Sequence, residues 1–142
     1  MKSRMIRLTV LVVAIAFLPA LLYAQSLIKT PLFRVDVPFP FMAAGVHLPA
    51  GPYLVSHVDP YLILIETEDR KARALVRVEI GNAGSSVAGT KLVFNKYGDQ
   101  YFMAQVWTEP DREVHHCTKC RAEKLLEAQS RRPEQTVVLA RR

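Results

Sequence analysis

The chain has 142 residues, a formal net charge of +6, half of its residues hydrophobic, and only two cysteines. That is one domain's worth of polypeptide. It excludes a disulfide-dense miniprotein, since two cysteines close at most one bridge. It also excludes intrinsic disorder, because 50% hydrophobic against 23% charged residues is enough apolar material for a core.

Residues 1–7 carry Lys2, Arg4 and Arg7 and no acid, and residues 8–22 are uncharged and almost wholly apolar (LTVLVVAIAFLPALL). Pro19 breaks the end of that run, and Ala24 stands before Gln25 as a small residue suited to cleavage. A basic start, a short apolar run and a small-residue site predict a secretory signal peptide over residues 1–24. A retained anchor fits less well, since fifteen apolar residues rise about 22 Å as a helix against about 30 Å of hydrocarbon. No cysteine lies near the cut, which argues against a lipid-anchored lipoprotein. The expected location is exported, periplasmic or extracellular, with membrane contact only through the leader during export.

Without the leader, sixteen basic side chains face thirteen acidic ones. Residues 25–111 hold eight basic and nine acidic, and residues 112–142 hold eight and four. The positive balance therefore belongs to the two ends. Nucleic-acid binding needs clustered Arg and Lys with aromatics between them, so no nucleic-acid partner is expected.

From residue 32 the apolar pattern has a period of two, the mark of half-buried strands. Phe33, Val35, Val37, Phe39 and Phe41 alternate with Arg34, Asp36, Pro38 and Pro40. The prolines lack a ladder N–H, so this strand lies at an edge or bends there. Residues 48–52 (LPAGP) read as a turn, residues 53–58 as the next strand, and the continuously apolar residues 61–65 as a strand covered on both faces. Residues 66–71 form a charged turn. Ala74, Val76, Val78 and Ile80 then face one way, with Arg73, Arg77 and Glu79 the other way and Leu75 as the exception. Residues 81–89 form a small-residue loop. Residues 91–97 and 101–108 pair around Gly98, Asp99 and Gln100 as a hairpin. Phe33, Phe41, Tyr53, Tyr61, Phe94, Phe102 and Trp107 are the expected core anchors.

After Pro110 the character changes. Residues 118–129 favour helix, with Ala122, Leu125, Leu126 and Gln129 as a narrow stripe able to dock on the sheet. Residues 130–142 read as a basic, flexible tail. The expected fold is mainly β: a compact antiparallel sandwich or barrel of six to seven short strands in residues 25–111, a loop and C-terminal helix in residues 112–129, and that tail.

One cluster concentrates reactive side chains: His115, His116, Cys117, Thr118, Lys119 and Cys120. On a helix, His116, Cys117 and Cys120 would share a face, a spacing compatible with Zn²⁺ or Cu(I). No second C-x-x-C completes a site, and the remaining histidines, His47 and His57, lie in presumed strands. Arg121 stands where c-type haem attachment needs histidine. A Cys117–Cys120 disulfide, two inert thiols and a redox pair are the competing readings. No catalytic constellation is recognisable, so no enzyme is expected. Ser85 and Ser86 miss the G-x-S-x-G elbow and lack a following helix. Glu66, Glu68 and Asp69 share a turn with Arg70 and Lys71, which is an ordinary solvated loop and not an alternating Ca²⁺ loop.

The segments VPFPF (37–41), LPAGPYLV (48–55), LVFNKYGDQYF (92–102) and Val106-Trp107 resemble a family of small exported β proteins of unknown function frequent in acidobacteria. The resemblance covers about residues 33–127 and includes the Arg/Glu-rich stretch at 121–127. It implies a compact β domain behind a signal peptide and brings no reaction with it. The His-His-Cys-x-x-Cys element departs from the family's pattern. The resulting expectation is a non-enzymatic exported domain, binding or structural, whose partner is an envelope protein or polymer. The alternative is a periplasmic metal-binding or thiol-active protein using His116, Cys117 and Cys120.

Overall fold

The computed structural model describes residues 30–82, 89–109, 112–129 and 132–141. The expected leader and Ser85 and Ser86 lie outside them. The elements in chain order are β1 (Thr30–Val37), β2 (Phe41–Ala43), β3 (Val46–Leu48), β4 (Gly51–Asp59), β5 (Leu62–Thr67), β6 (Arg73–Asn82), β7 (Lys91–Tyr97), β8 (Gln100–Thr108), β9 (Glu113–Cys117), α1 (Arg121–Ala128) and β10 (Glu134–Arg141). Eight strands close on themselves in the order β8-β7-β10-β1-β4-β5-β6-β9, with β9 returning to β8 and every pairing antiparallel. The fold is thus mainly β, a closed barrel rather than a sandwich, with a helix near its C-terminal end. The strands outnumber the six or seven expected because the first run splits into β1 and β2, residues 46–48 pair as β3, and β9 and β10 form beyond residue 111.

Pro38 to Pro40 break the first alternating run, as proline must when it cannot donate to a ladder. β1 therefore ends at Val37, and β2 leaves the barrel wall as half of a short hairpin with β3. Ala44 and Gly45 turn it at φ of 50° and 81°. This hairpin attaches to β8 through the single parallel pair Met42↔Phe102. It delivers Phe41, Ala43 and Leu48 into the core and plugs one end of the barrel. Phe41 meets Tyr53 and Phe94 edge-on at 5.3 Å and 5.1 Å. Burying side chains of this size contributes about 1.5–3 kcal/mol each. Tyr53 also donates a 2.6 Å hydrogen bond to the Pro49 carbonyl, which fixes the turn into β4.

The wall obeys the two-residue period. Ala74, Val76 and Val78 point inward on β6, while Leu75 is half exposed. Of the expected aromatic anchors, Phe41, Tyr53, Phe94 and Phe102 are buried, but Tyr61 is 61% exposed. Tyr61 sits on the tight turn between β4 and β5, where its side chain projects outward.

Two expectations fail at the C-terminal end. Residues 130–142 are not a flexible tail over their described part, because β10 inserts between β7 and β1. Its Thr136, Val138 and Ala140 turn inward while Val137 and Leu139 face out. The β domain consequently does not stop at residue 111, since β9 and β10 are barrel staves. The helix also docks by an unexpected face. Its buried residue is Glu123, and Leu125 is 57% exposed. Among the described residues, no helix is long and apolar enough to cross a membrane.

Candidate functional site

The register of β7 with β8 slips once. Val93 pairs with Gln105 and Phe94 with Met103, so Ala104 is left unmatched as a bulge. Bulges bend a strand and re-aim its side chains. Here Asn95 faces away from the interior and meets α1, while its partner Phe102 lies beside Met42 of β2. Glu123, 2% exposed, accepts a 2.8 Å hydrogen bond from Asn95 Nδ2. Each buried polar group thereby satisfies the other, as burial demands. Gln105, Gln135 and Lys119 join them around a recess of about 220 Å³ that also touches His116 and Cys117.

This recess perturbs its own acids. Burial pushes the Glu123 carboxyl above the usual carboxylate range, against the opposing pull of the Asn95 hydrogen bond and the Lys119 charge. Burial also raises Tyr97, with the Glu123 charge adding to it. Lys119 donates a 2.6 Å hydrogen bond to Glu127, which holds its ammonium form above the ordinary lysine value. Burial and then the Glu123 charge push the Cys117 thiol up to about 12. A reactive or metal-binding cysteine needs the thiolate, favoured by cationic and partly exposed surroundings. Cys117 has the reverse surroundings. The arrangement offers hydrogen bonds from amides, a carboxyl group and an ammonium, with no activated nucleophile.

The sequence-predicted cluster is dispersed by its secondary structure. His115, His116 and Cys117 belong to β9, not to a loop or a helix. Successive strand side chains point to opposite faces. His115 is 1% exposed inside the barrel, and Cys117 packs against the core. His116 faces out, its Nδ1 3.4 Å from Gln105 Nε2, and Trp107 Nε1 donates a 2.8 Å hydrogen bond to Gln105 Oε1. A Cβ at Gly81 would stand 2.9 Å from His116 Nε2, so glycine there makes room for the ring. Cys120 lies beyond the strand as the N-cap of α1, with Sγ 3.6 Å from Met42 Sδ. Cys117 and Cys120 are both free thiols. His116 and Cys117 thus face opposite sides, and among the described residues no three His, Cys, Asp or Glu side chains are grouped to hold a metal ion. The helical face that would have joined His116, Cys117 and Cys120 does not form.

No protein-family model, curated protein or solved structure matches this chain.

A second polar site closes the barrel end opposite the β2–β3 hairpin. His57, near the end of β4, meets His115 of β9 with ring centroids 4.9 Å apart and planes at 73°. Glu113 Oε2 lies 3.5 Å from His115 Nε2. With Val58, Asp59, Pro60 and Ile80 these residues line a recess of about 400 Å³. Burial, reinforced by the neighbouring His57, holds His115 below the ordinary histidine range. Nothing in the local spacing announces this pair. It exists because barrel closure brings β4 and β9, far apart in sequence, to the same rim. His47, the remaining histidine outside the cluster, is exposed on β3.

Proposed function

We propose that the chain is an exported cell-envelope protein that acts by binding, not by catalysis, and that residues 1–24 are its cleaved leader. The basic start, the apolar run and the small residue at position 24 support export. The motifs shared with small exported β proteins support the same location. The observation that carries the binding reading is the recess beneath α1, where Asn95, Gln105, Gln135, Lys119 and Glu123 present hydrogen-bonding groups, while the one cysteine touching it, Cys117, packs against the core with its thiol held at about 12. Such a site suits a hydroxyl- and amide-bearing envelope polymer. It is poorly suited to nucleophilic chemistry.

The test has two arms. Protein expressed with its own leader in a bacterial host should be recovered outside the cytoplasm with an N-terminus at or near Gln25, read by intact mass. That protein should then co-sediment with isolated insoluble cell-wall polymer. A Gln135→Ala, Lys119→Ala variant that folds normally should sediment less. Cytoplasmic retention would overturn export, and sedimentation equal to that of the double variant would overturn the assignment of the recess.

A further inference from the structure

We propose that His57 and His115 bind one borderline divalent metal ion, Zn²⁺ or Cu²⁺, at the open rim of the barrel, through one ring nitrogen of each imidazole, with water completing the coordination.

The starting observation is a buried imidazole without partners. His115 is 1% exposed, yet neither Nδ1 nor Nε2 has a hydrogen-bond partner in the protein, and His57 Nδ1 has none either. An unpaired buried polar atom costs about 1–3 kcal/mol, so folded proteins rarely keep three together without water, a ligand or an ion to satisfy them. Glu113 does not answer the need, because at 3.5 Å its Oε2 makes no hydrogen bond to His115.

The character of the recess selects the occupant. It combines two imidazoles with two carboxylates, Asp59 and Glu113, and an apolar side made by Val58, Pro60 and Ile80. The carboxylates repel anions and favour a cation. Imidazole nitrogen favours Zn²⁺ and Cu²⁺ over Ca²⁺ and Mg²⁺, which prefer oxygen ligands.

Distances agree with that choice. Two imidazoles on one tetrahedral ion with bonds of about 2.0 Å hold their ring centres about 5 Å apart, and these two are 4.9 Å apart. Glu113 Oε2 lies 3.5 Å from His115 Nε2, near enough to offset part of the ion's charge. Glu113 therefore stands as a charge-compensating neighbour at the ion's edge. With only two protein ligands firmly placed, the ion is exchangeable and keeps open positions.

This inference is independent of the recess beneath α1, which lies on the outer wall. The test uses untagged protein treated with chelator, then titrated with Zn²⁺ by calorimetry and by competition with a chromophoric chelator. One ion per chain should bind. His57→Gln, at a half-buried position, should keep the far-UV circular dichroism and weaken binding at least about tenfold, since outer-shell losses alone cost 10–100-fold. His116→Ala and the Cys117→Ser, Cys120→Ser pair should bind as the wild type does. In the wild type, NMR should show the His57 and His115 ring signals moving with added Zn²⁺, which decides the matter even where a variant fails to fold. Absence of stoichiometric binding, binding that survives His57→Gln, binding lost with the cysteines, or unmoved His57 and His115 signals would each overturn the proposal.

Discussion

Glu123 shows how one residue sets local chemistry. A carboxyl group in the first turn of a helix is favoured by the exposed amides there, but burial opposes its charge more strongly. Its folded pKa therefore lies above its unfolded one. The native state binds the proton more tightly, so this group's contribution is fully present below the unfolded value and is lost as pH rises through the folded value. Wild-type stability should fall across that window in urea titrations. Glu123→Gln keeps an acceptor for Asn95 and should remove that component of the slope; an unchanged slope would mean the carboxyl is not buried as described. Cys117 provides a second check. With its thiol held up to about 12, iodoacetamide at pH 8 should modify Cys120 well before Cys117, as mapped by peptide mass spectrometry. Equal rates would show that Cys117 lies in different surroundings. Single residues were partly legible in the sequence. Phe41, Tyr53, Phe94 and Phe102 announce their burial as large aromatics at strand positions, whereas Glu123 cannot, because its partner Asn95 is 28 residues away.

At the level of elements, β10 is the piece whose role its own sequence hides. Residues 134–141 read EQTVVLAR, and Val137 and Leu139 on the outer face blur the alternation of Thr136, Val138 and Ala140. A one-sided apolar period is the usual strand signal, and this strand lacks it. Pairing partners decide instead: six register pairs tie β10 to β7 and two tie it to β1. The same reason explains β9, where strand pairing puts His116 and Cys117, which a helix would place on one face, on opposite sides. Truncation after Gln129 should therefore open the barrel and expose the edges of β7 and β1, edges prone to intermolecular pairing. The truncated protein should lose its cooperative thermal transition and elute as aggregate in size-exclusion chromatography. A tail without structure would be removed with no change in either measurement.

The whole barrel has two chemically different ends, and that difference separates stability from binding. One end is plugged by Phe41, Ala43 and Leu48 of the β2–β3 hairpin, all buried. The other ends in the His57–His115 pair and an open recess. The sequence predicted closure only as one of two β architectures, because alternation reports which face of a strand is buried and not whether the first and last strands meet. Which side chains share an end follows only after closure. Leu48→Ala removes apolar volume from a packed site and should lower unfolding free energy by about 2–5 kcal/mol, read as a shifted urea midpoint. Because the plug and the histidine rim are at opposite ends, the folded fraction of that variant should bind Zn²⁺ as the wild type does, the two effects being independent. His57→Gln should do the converse, keeping the urea midpoint measured in chelator and losing affinity for the ion. A Leu48→Ala variant that folds but binds Zn²⁺ weakly would instead mean that the two ends are coupled through the shared core.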